Sequence, residues 1–117
     1  GVRQDNNPGD TMDGEWIRVG NVADIDEDDT HPVEIDGRRV CLYNLGGEIF
    51  ATDGTCTHGD ADLSLGMVVD SCLIECPLHE GTFDIRSGRA VGAPCTDPLR
   101  CHPVKVEQGV IFLRPAH

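Results

Sequence analysis

Two short clusters carry most of the chemistry available to this chain: Cys56-Thr57-His58 and Cys76-Pro77-Leu78-His79. Each places one thiol and one imidazole a residue or two apart, and seventeen residues separate His58 from Cys76. A spacing that short lets both side chains of one loop reach a common centre. Thiolate and neutral imidazole together suit zinc or an iron–sulfur centre rather than the oxygen-loving cations. The rest of the chain offers little else. Once the four clustered ligands are set aside, only His31, His102 and His117 remain, with no spacing that would make a two-histidine, one-carboxylate iron site. No glycine-rich dinucleotide fingerprint is present.

Zinc is the default for a Cys2His2 set, but zinc patterns pair Cys with Cys and His with His. Here each loop gives one of each. That division suits a [2Fe–2S] cluster with unlike irons, one held by both thiolates and the other by both imidazoles. A protein holding such a centre without an oxygen-activating, nicotinamide or flavin site would take electrons from one protein and hand them to another.

The elements that must position these loops read as short strands. In "HPVEIDGRRVCLYNLGGEIFAT", Val33 and Ile35, Val40 and Leu42, and Ile49 and Ala51 fall on period two. Asp36-Gly37 and Gly46-Gly47 interrupt them as two-residue hairpin turns. The segment predicts a β-meander with one buried face. "MVVDSCLIECP" predicts a hairpin turning near Asp70-Ser71 that delivers Cys76 at a strand end, and "TFDIRSGRAV" a further one turning at Ser87-Gly88. Near the C-terminus, Val104 and Val106 pair across Gln108-Gly109 with Ile111 or Leu113. "VADIDEDD" can form one helical turn, and no other segment reads as a helix. The fold class is all-β, antiparallel, with the chemistry on loops.

Composition narrows the partners. The 117 residues suffice for one domain, and 21 acidic against 9 basic residues give a net charge of −12. Nucleic acid and anionic membrane surfaces repel such a chain. No apolar run approaches the length of a membrane span, and no export signal is visible, so the six cysteines are expected reduced or metal-bound in a cytoplasmic protein. Residues 1–14 are polar and aperiodic and are expected to form a flexible leader to a single domain at 15–117.

The stretches "CTHGDADLS" and "CPLHEGTFDIRSGRA" resemble the Rieske iron–sulfur signature, and the chain after Gly14 is similar to the Rieske ferredoxins of bacterial aromatic ring-hydroxylating dioxygenase systems. The resemblance implies three antiparallel sheets with a small cluster-binding subdomain, its loops at about residues 55–62 and 75–82 and a covering proline loop at about 92–98. It implies that Cys56 and Cys76 ligate the inner iron, and His58 and His79 the outer iron, of one [2Fe–2S] cluster. Thr57, Gly59, Leu78, Gly81 and Pro94 would surround it. Proteins of high potential in this class carry an extra Cys in each loop and a serine that donates to a sulfide. The matching positions are Ala61, Leu78 and Gly81, which places the expected potential toward the bottom of a range of roughly −150 to +300 mV.

The implied function is that of a one-electron carrier between an NAD(P)H-dependent flavin reductase and the terminal oxygenase of an aromatic-ring dioxygenase, not that of an enzyme. A monomer is expected, with His58, His79, Pro77, Leu78 and Pro94 forming the docking face. Two other readings are a small subunit held permanently in a larger reductase, such as a nitrite reductase, and a zinc-stabilised binding module.

Other conspicuous residues read as structural. Cys41 and Cys72 lie in strand patterns, and Cys95 and Cys101, flanking "TDPLR", are expected as two reduced thiols, the alternative being a disulfide between them. His31 and His102 precede prolines at strand starts, as structural or exposed groups. Trp16 and Met67 are packing residues, and the acidic run from Asp24 to Asp29 is a solvated loop.

Overall fold

Turn chemistry sets the architecture. In the computed structural model, which describes residues 16–57, 61–78, 81–93 and 97–115, the pairs Asp36-Gly37, Gly46-Gly47 and Gln108-Gly109 all adopt positive φ, from 51° to 97°. Positive φ at both central residues matches the right-handed twist of the flanking strands and closes two-residue hairpins. The meander therefore forms as expected from β2 (Asp29–Ile35), β3 (Arg38–Leu45) and β4 (Glu48–Asp53), in the order β2-β3-β4.

A second sheet joins β1 (Ile17–Asn21), β10 (Val110–Leu113) and β9 (Val104–Glu107), ordered β1-β10-β9. Its register pairs Ile111 with Val106 and Leu113 with Val104. The third contains β5 (Met67–Val69), β6 (Leu73–Glu75), β7 (Thr82–Asp84) and β8 (Ala90–Gly92), in sequence order. All pairings are antiparallel, which is the three-sheet, all-β architecture expected. Among the described residues, no helix is long and apolar enough to cross a membrane.

The meander departs from expectation in one respect. Not one face but both faces of β3 are buried, with Val40 through Leu45 all enclosed. Alternation along the strand sends its side chains into two different cores. Val40 and Leu42 join Ile25, Ile35, Ile49, Ala51, Ile111 and Leu113. Cys41, Tyr43 and Leu45 join Leu63, Ile74, Phe83, Ile85 and Leu99, together with Cys56 and Cys76. A central strand covered on both sides reads as a continuous apolar run, and "VCLYNL" is nearly that.

Other expectations are corrected in detail. Besides the expected turn at Val22–Asp24, a second 3₁₀ turn forms at Leu63–Leu65, capped by Asp62, whose Oδ1 accepts from Ser64 N–H at 2.9 Å. Cys72 sits in the β5–β6 turn rather than a strand. Met67 is 60% exposed and is not a packing residue. Trp16 is half-buried beneath Lys105 and Arg114, whose cations lie 4.8 and 5.0 Å from its ring centroid.

The segment Leu99–His102 stitches the sheets together. Leu99 N–H donates to Gly88 O, Asp53 N–H to Arg100 O and His102 N–H to Ala51 O, at 2.7, 2.8 and 3.0 Å. Gly88 has φ +79°, and a Cβ there would collide with the Leu99 carbonyl oxygen. Glycine at this turn thus serves both the backbone angle and the close crossing.

Candidate metal centre

The two candidate loops share one construction. Each starts with a cysteine whose backbone N–H donates to the carbonyl five residues ahead: Cys56 to Ala61 at 3.0 Å, and Cys76 to Gly81 at 2.8 Å. In each, the residue before the cysteine pairs with the residue after that carbonyl: Thr55 with Asp62 in a β-bridge, Glu75 with Thr82 in the β6–β7 ladder. Both loops are therefore six-residue excursions pinched at the base, with the thiol at the first position.

Burial grades along them in the same sense. Cys56 is 4% and Cys76 1% exposed, in the same core. Thr57 and Pro77, the next residues, are exposed, and Leu78 is 61% exposed. The thiols thus sit in dry interior while the residues directly after them face solvent. His58, Gly59, His79 and Pro94 lie outside the described residues, and so does Cys95. Among the described residues, no group of three His, Cys, Asp or Glu side chains is placed to hold a metal.

The donor set present fits a [2Fe–2S] cluster on the observable half. Two thiols from separate hairpins share one apolar core, where a thiolate pair is stabilised only by binding a cation. Among the described residues, Cys41, Cys72 and Cys101 do not open such a loop. Burial pushes the Cys41 thiol up to about 12, with its hydrogen bonds to Tyr43 and His31 pulling back only in part. Burial also raises Cys101, assisted by the charges of Asp84 and Asp53. Both remain neutral thiols near neutral pH and act as small hydrophobes.

Several supporting contacts had no signal in the sequence. Thr57 Oγ1 donates to Asp97 O at 2.7 Å, tying the first loop to the segment that follows residues 94–96 across forty positions. Tyr43 and Thr52, both fully buried, share a 2.8 Å hydroxyl contact; Thr52 Oγ1 donates onward to Asp53 O at 2.8 Å, so Tyr43 is the donor between them. His102, expected to be structural or exposed, is buried, and its Nε2 lies 2.8 Å from Asp53 Oδ1. Burial lowers its pKa, and the Asp53 hydrogen bond and charge oppose the shift without cancelling it. A neutral imidazole donating Nε2–H to the carboxylate satisfies both. The Asp62 cap is the exception: Asp-Leu-Ser is an ordinary capping sequence.

Comparison with known proteins agrees with this geometry. Residues 15–103 match the family described as "Rieske [2Fe-2S] domain". The ferredoxin component of the naphthalene 1,2-dioxygenase/salicylate 5-hydroxylase systems of Ralstonia sp is 41% identical over 103 residues, covering 88% of this chain and 98% of that protein. The ferredoxin of carbazole 1,9a-dioxygenase from Nocardioides aromaticivorans IC177 superimposes with a TM-score of 0.82 at 31% identity, covering 86% of this chain and 98% of that one. A chain in the complex of reduced oxygenase and oxidized ferredoxin of carbazole 1,9a-dioxygenase gives 0.80 at 35% identity, covering 85% of this chain and 92% of that one.

Proposed function

The chain belongs to the Rieske [2Fe-2S] domain family, and from that premise we propose that it is the one-electron carrier of an aromatic ring-hydroxylating dioxygenase system, taking electrons from an NAD(P)H-dependent flavin reductase and delivering them to a terminal oxygenase. Its cofactor is one [2Fe–2S] cluster, and curated relatives such as those of the naphthalene 1,2-dioxygenase systems are named as ferredoxin components rather than as catalytic enzymes. The observation that carries the reading is the matched pair of pinched loops, each opening with a buried cysteine in one shared core.

In this assignment Cys56 and Cys76, both buried, would hold one iron, and His58 and His79 would hold the other. The bound cluster supplies a one-electron centre with a potential above that of all-cysteine clusters. The protein's own residues do the rest. The apolar core around both thiols excludes water. The bond from Thr57 to Asp97 braces the first loop. In the same assignment Gly59 and Gly81 would permit close backbone approach, and Pro94 would cover the third side. Pro77 and Leu78 are exposed and, with His58, His79 and Pro94 in the assigned roles, would offer a small apolar contact suited to transient docking, under about 1,200 Å². The chain is assigned to the cytoplasm as a monomer. The 41% identity to a ferredoxin component over 98% of its length favours this reading over a subunit of a larger reductase.

Anaerobic dithionite titration with optical and electron paramagnetic resonance spectroscopy is the test. Uptake of one electron per chain, with bleaching of visible absorption, is the expected outcome; a colourless, sulfide-free protein overturns the assignment. Leu78→Ala is expected to keep the spectrum and slow transfer to the oxygenase about tenfold.

A further inference from the structure

One surface feature runs against the acidic character of the chain. Despite the net charge of −12, an open cleft of about 260 Å³ is lined by Arg38, Arg39 and Arg100, with Asp53 and Thr55. Arg38 Nη2 lies 3.6 Å from Asp53 Oδ1, and Arg39 Nε 3.9 Å from Asp62 Oδ2. The same Asp53 oxygen accepts from His102, so its charge is divided. Among the described residues Arg100 makes no ion pair. Three guanidiniums therefore meet two carboxylates, one of them shared.

The fold builds this cleft. Gly54 N–H donates to Arg39 O at 2.9 Å and Asp53 N–H to Arg100 O at 2.8 Å, fixing both arginine backbones at the end of β4. A Cβ at Gly54 would come within 2.6 Å of Arg39 Cγ, so glycine there lets the arginine stem cross the strand end. Thr55, in the cleft wall, precedes Cys56 and pairs with Asp62 across the base of the first loop. The positive cleft thus stands at the foot of the first candidate loop.

We propose that this cleft receives an acidic side chain, Asp or Glu, projecting from a redox partner protein, and so fixes the rotation of that partner against the cluster loops. The inference rests on the electron-carrier reading. A uniformly acidic surface draws in a basic partner but leaves its angle of approach undetermined. A local inversion of charge beside the loops supplies the missing constraint, because wrong rotations set like charges together. Guanidinium forks match a carboxylate in bidentate fashion. A singly charged carboxylate fits better than a phosphate dianion, since the cleft is open and carries Asp53 in its wall.

The test uses the holoprotein and two fluorescein-labelled peptides, Lys-Lys-Gly-Glu-Gly-Lys-Lys and a twin with Gln in place of Glu, followed by fluorescence anisotropy. Both should bind the acidic surface. The wild-type protein is expected to prefer the Glu peptide by about threefold, the preference fading with salt. Arg39→Gln with Arg100→Gln should abolish the preference while the visible spectrum is retained. Arg100→Gln alone, at an exposed site, should halve it without any burden on folding. No preference in the wild type, a preference that survives both substitutions, or its loss to inorganic phosphate at matched ionic strength would overturn the proposal, the last by marking a free-anion site. A colourless preparation would instead defeat the carrier reading, a result the spectrum reports independently of peptide binding.

Discussion

The two cores on opposite faces of β3 are built from different materials. The one against β1, β10 and β9 is wholly aliphatic, with Ile, Val, Leu and Ala only. The one against the β5–β8 sheet holds Tyr43, Phe83 and three cysteines, two of them the proposed ligands. The aliphatic core needs nothing beyond burial to hold its strands. The other must place two loop bases together, and its short strands of three residues each give it few ladder bonds with which to do so. Metal binding and local folding should therefore be coupled on one face of β3 and separable on the other.

Cys76→Ser attacks that distinction most directly. It is expected to abolish visible absorption and to release the β5–β8 half, with hydrogen exchange accelerated at Ile74 and Phe83 and retained at Ile111 and Leu113. Uniform acceleration across both cores would mean that one cooperative unit spans the molecule. Next in size is a matched pair, Phe83→Ala and Leu113→Ala, both at fully buried positions. Phe83→Ala should cost about 3–5 kcal/mol and Leu113→Ala about 2–5 kcal/mol in denaturant unfolding. Only Phe83→Ala should loosen the cluster, seen as faster bleaching on incubation with a chelator. Equal bleaching rates would erase the contrast between the cores.

The sequence exposed the scaffold and the ligands unequally. Hairpin turns were legible because Asp-Gly, Gly-Gly and Gln-Gly announce positive φ locally, and all three appear where expected. Cys56 and Cys76 stood out because each lies two or three residues before a histidine, and both enter one core. What the sequence hid is what depends on contacts between distant segments. Period two in β3 revealed one face at a time, so the burial of Cys41, Tyr43 and Leu45 against a second sheet was missed. The pairs Thr57–Asp97 and His102–Asp53 join residues forty and forty-nine positions apart, and no local pattern encodes them. Met67 misled because apolar character in a short edge strand does not by itself imply burial.

Tyr43→Phe probes the polar element within the site-side core at smaller cost. It removes the donor to Thr52 Oγ1, whose own donation to Asp53 O remains. One buried hydroxyl loses a partner, for an expected loss of about 1–2 kcal/mol. Because Thr52 also bridges to Cys101, the loss should appear as faster exchange at Asp53 and His102, whose N–H groups bond across that bridge, with the cluster spectrum unchanged. A spectral shift would place Tyr43 in closer contact with the cluster than the thiol-lined core requires.

The smallest effect belongs to His102, in the segment joining the two cores. Its folded pKa is lowered, chiefly by burial, below an unfolded value of about 6.5. The unfolded chain therefore binds the proton first as pH falls. The contribution of neutral His102 is complete above pH of about 6.5 and is lost as pH drops below it toward the folded pKa. The midpoint of urea unfolding should decline across that acid window in the wild type. In His102→Gln, where an amide can still donate to Asp53 but does not titrate, the decline should be shallower. Parallel pH profiles for the two proteins would assign the acid sensitivity to other groups, and would show that the seam between the cores is held without reference to the charge state of this imidazole.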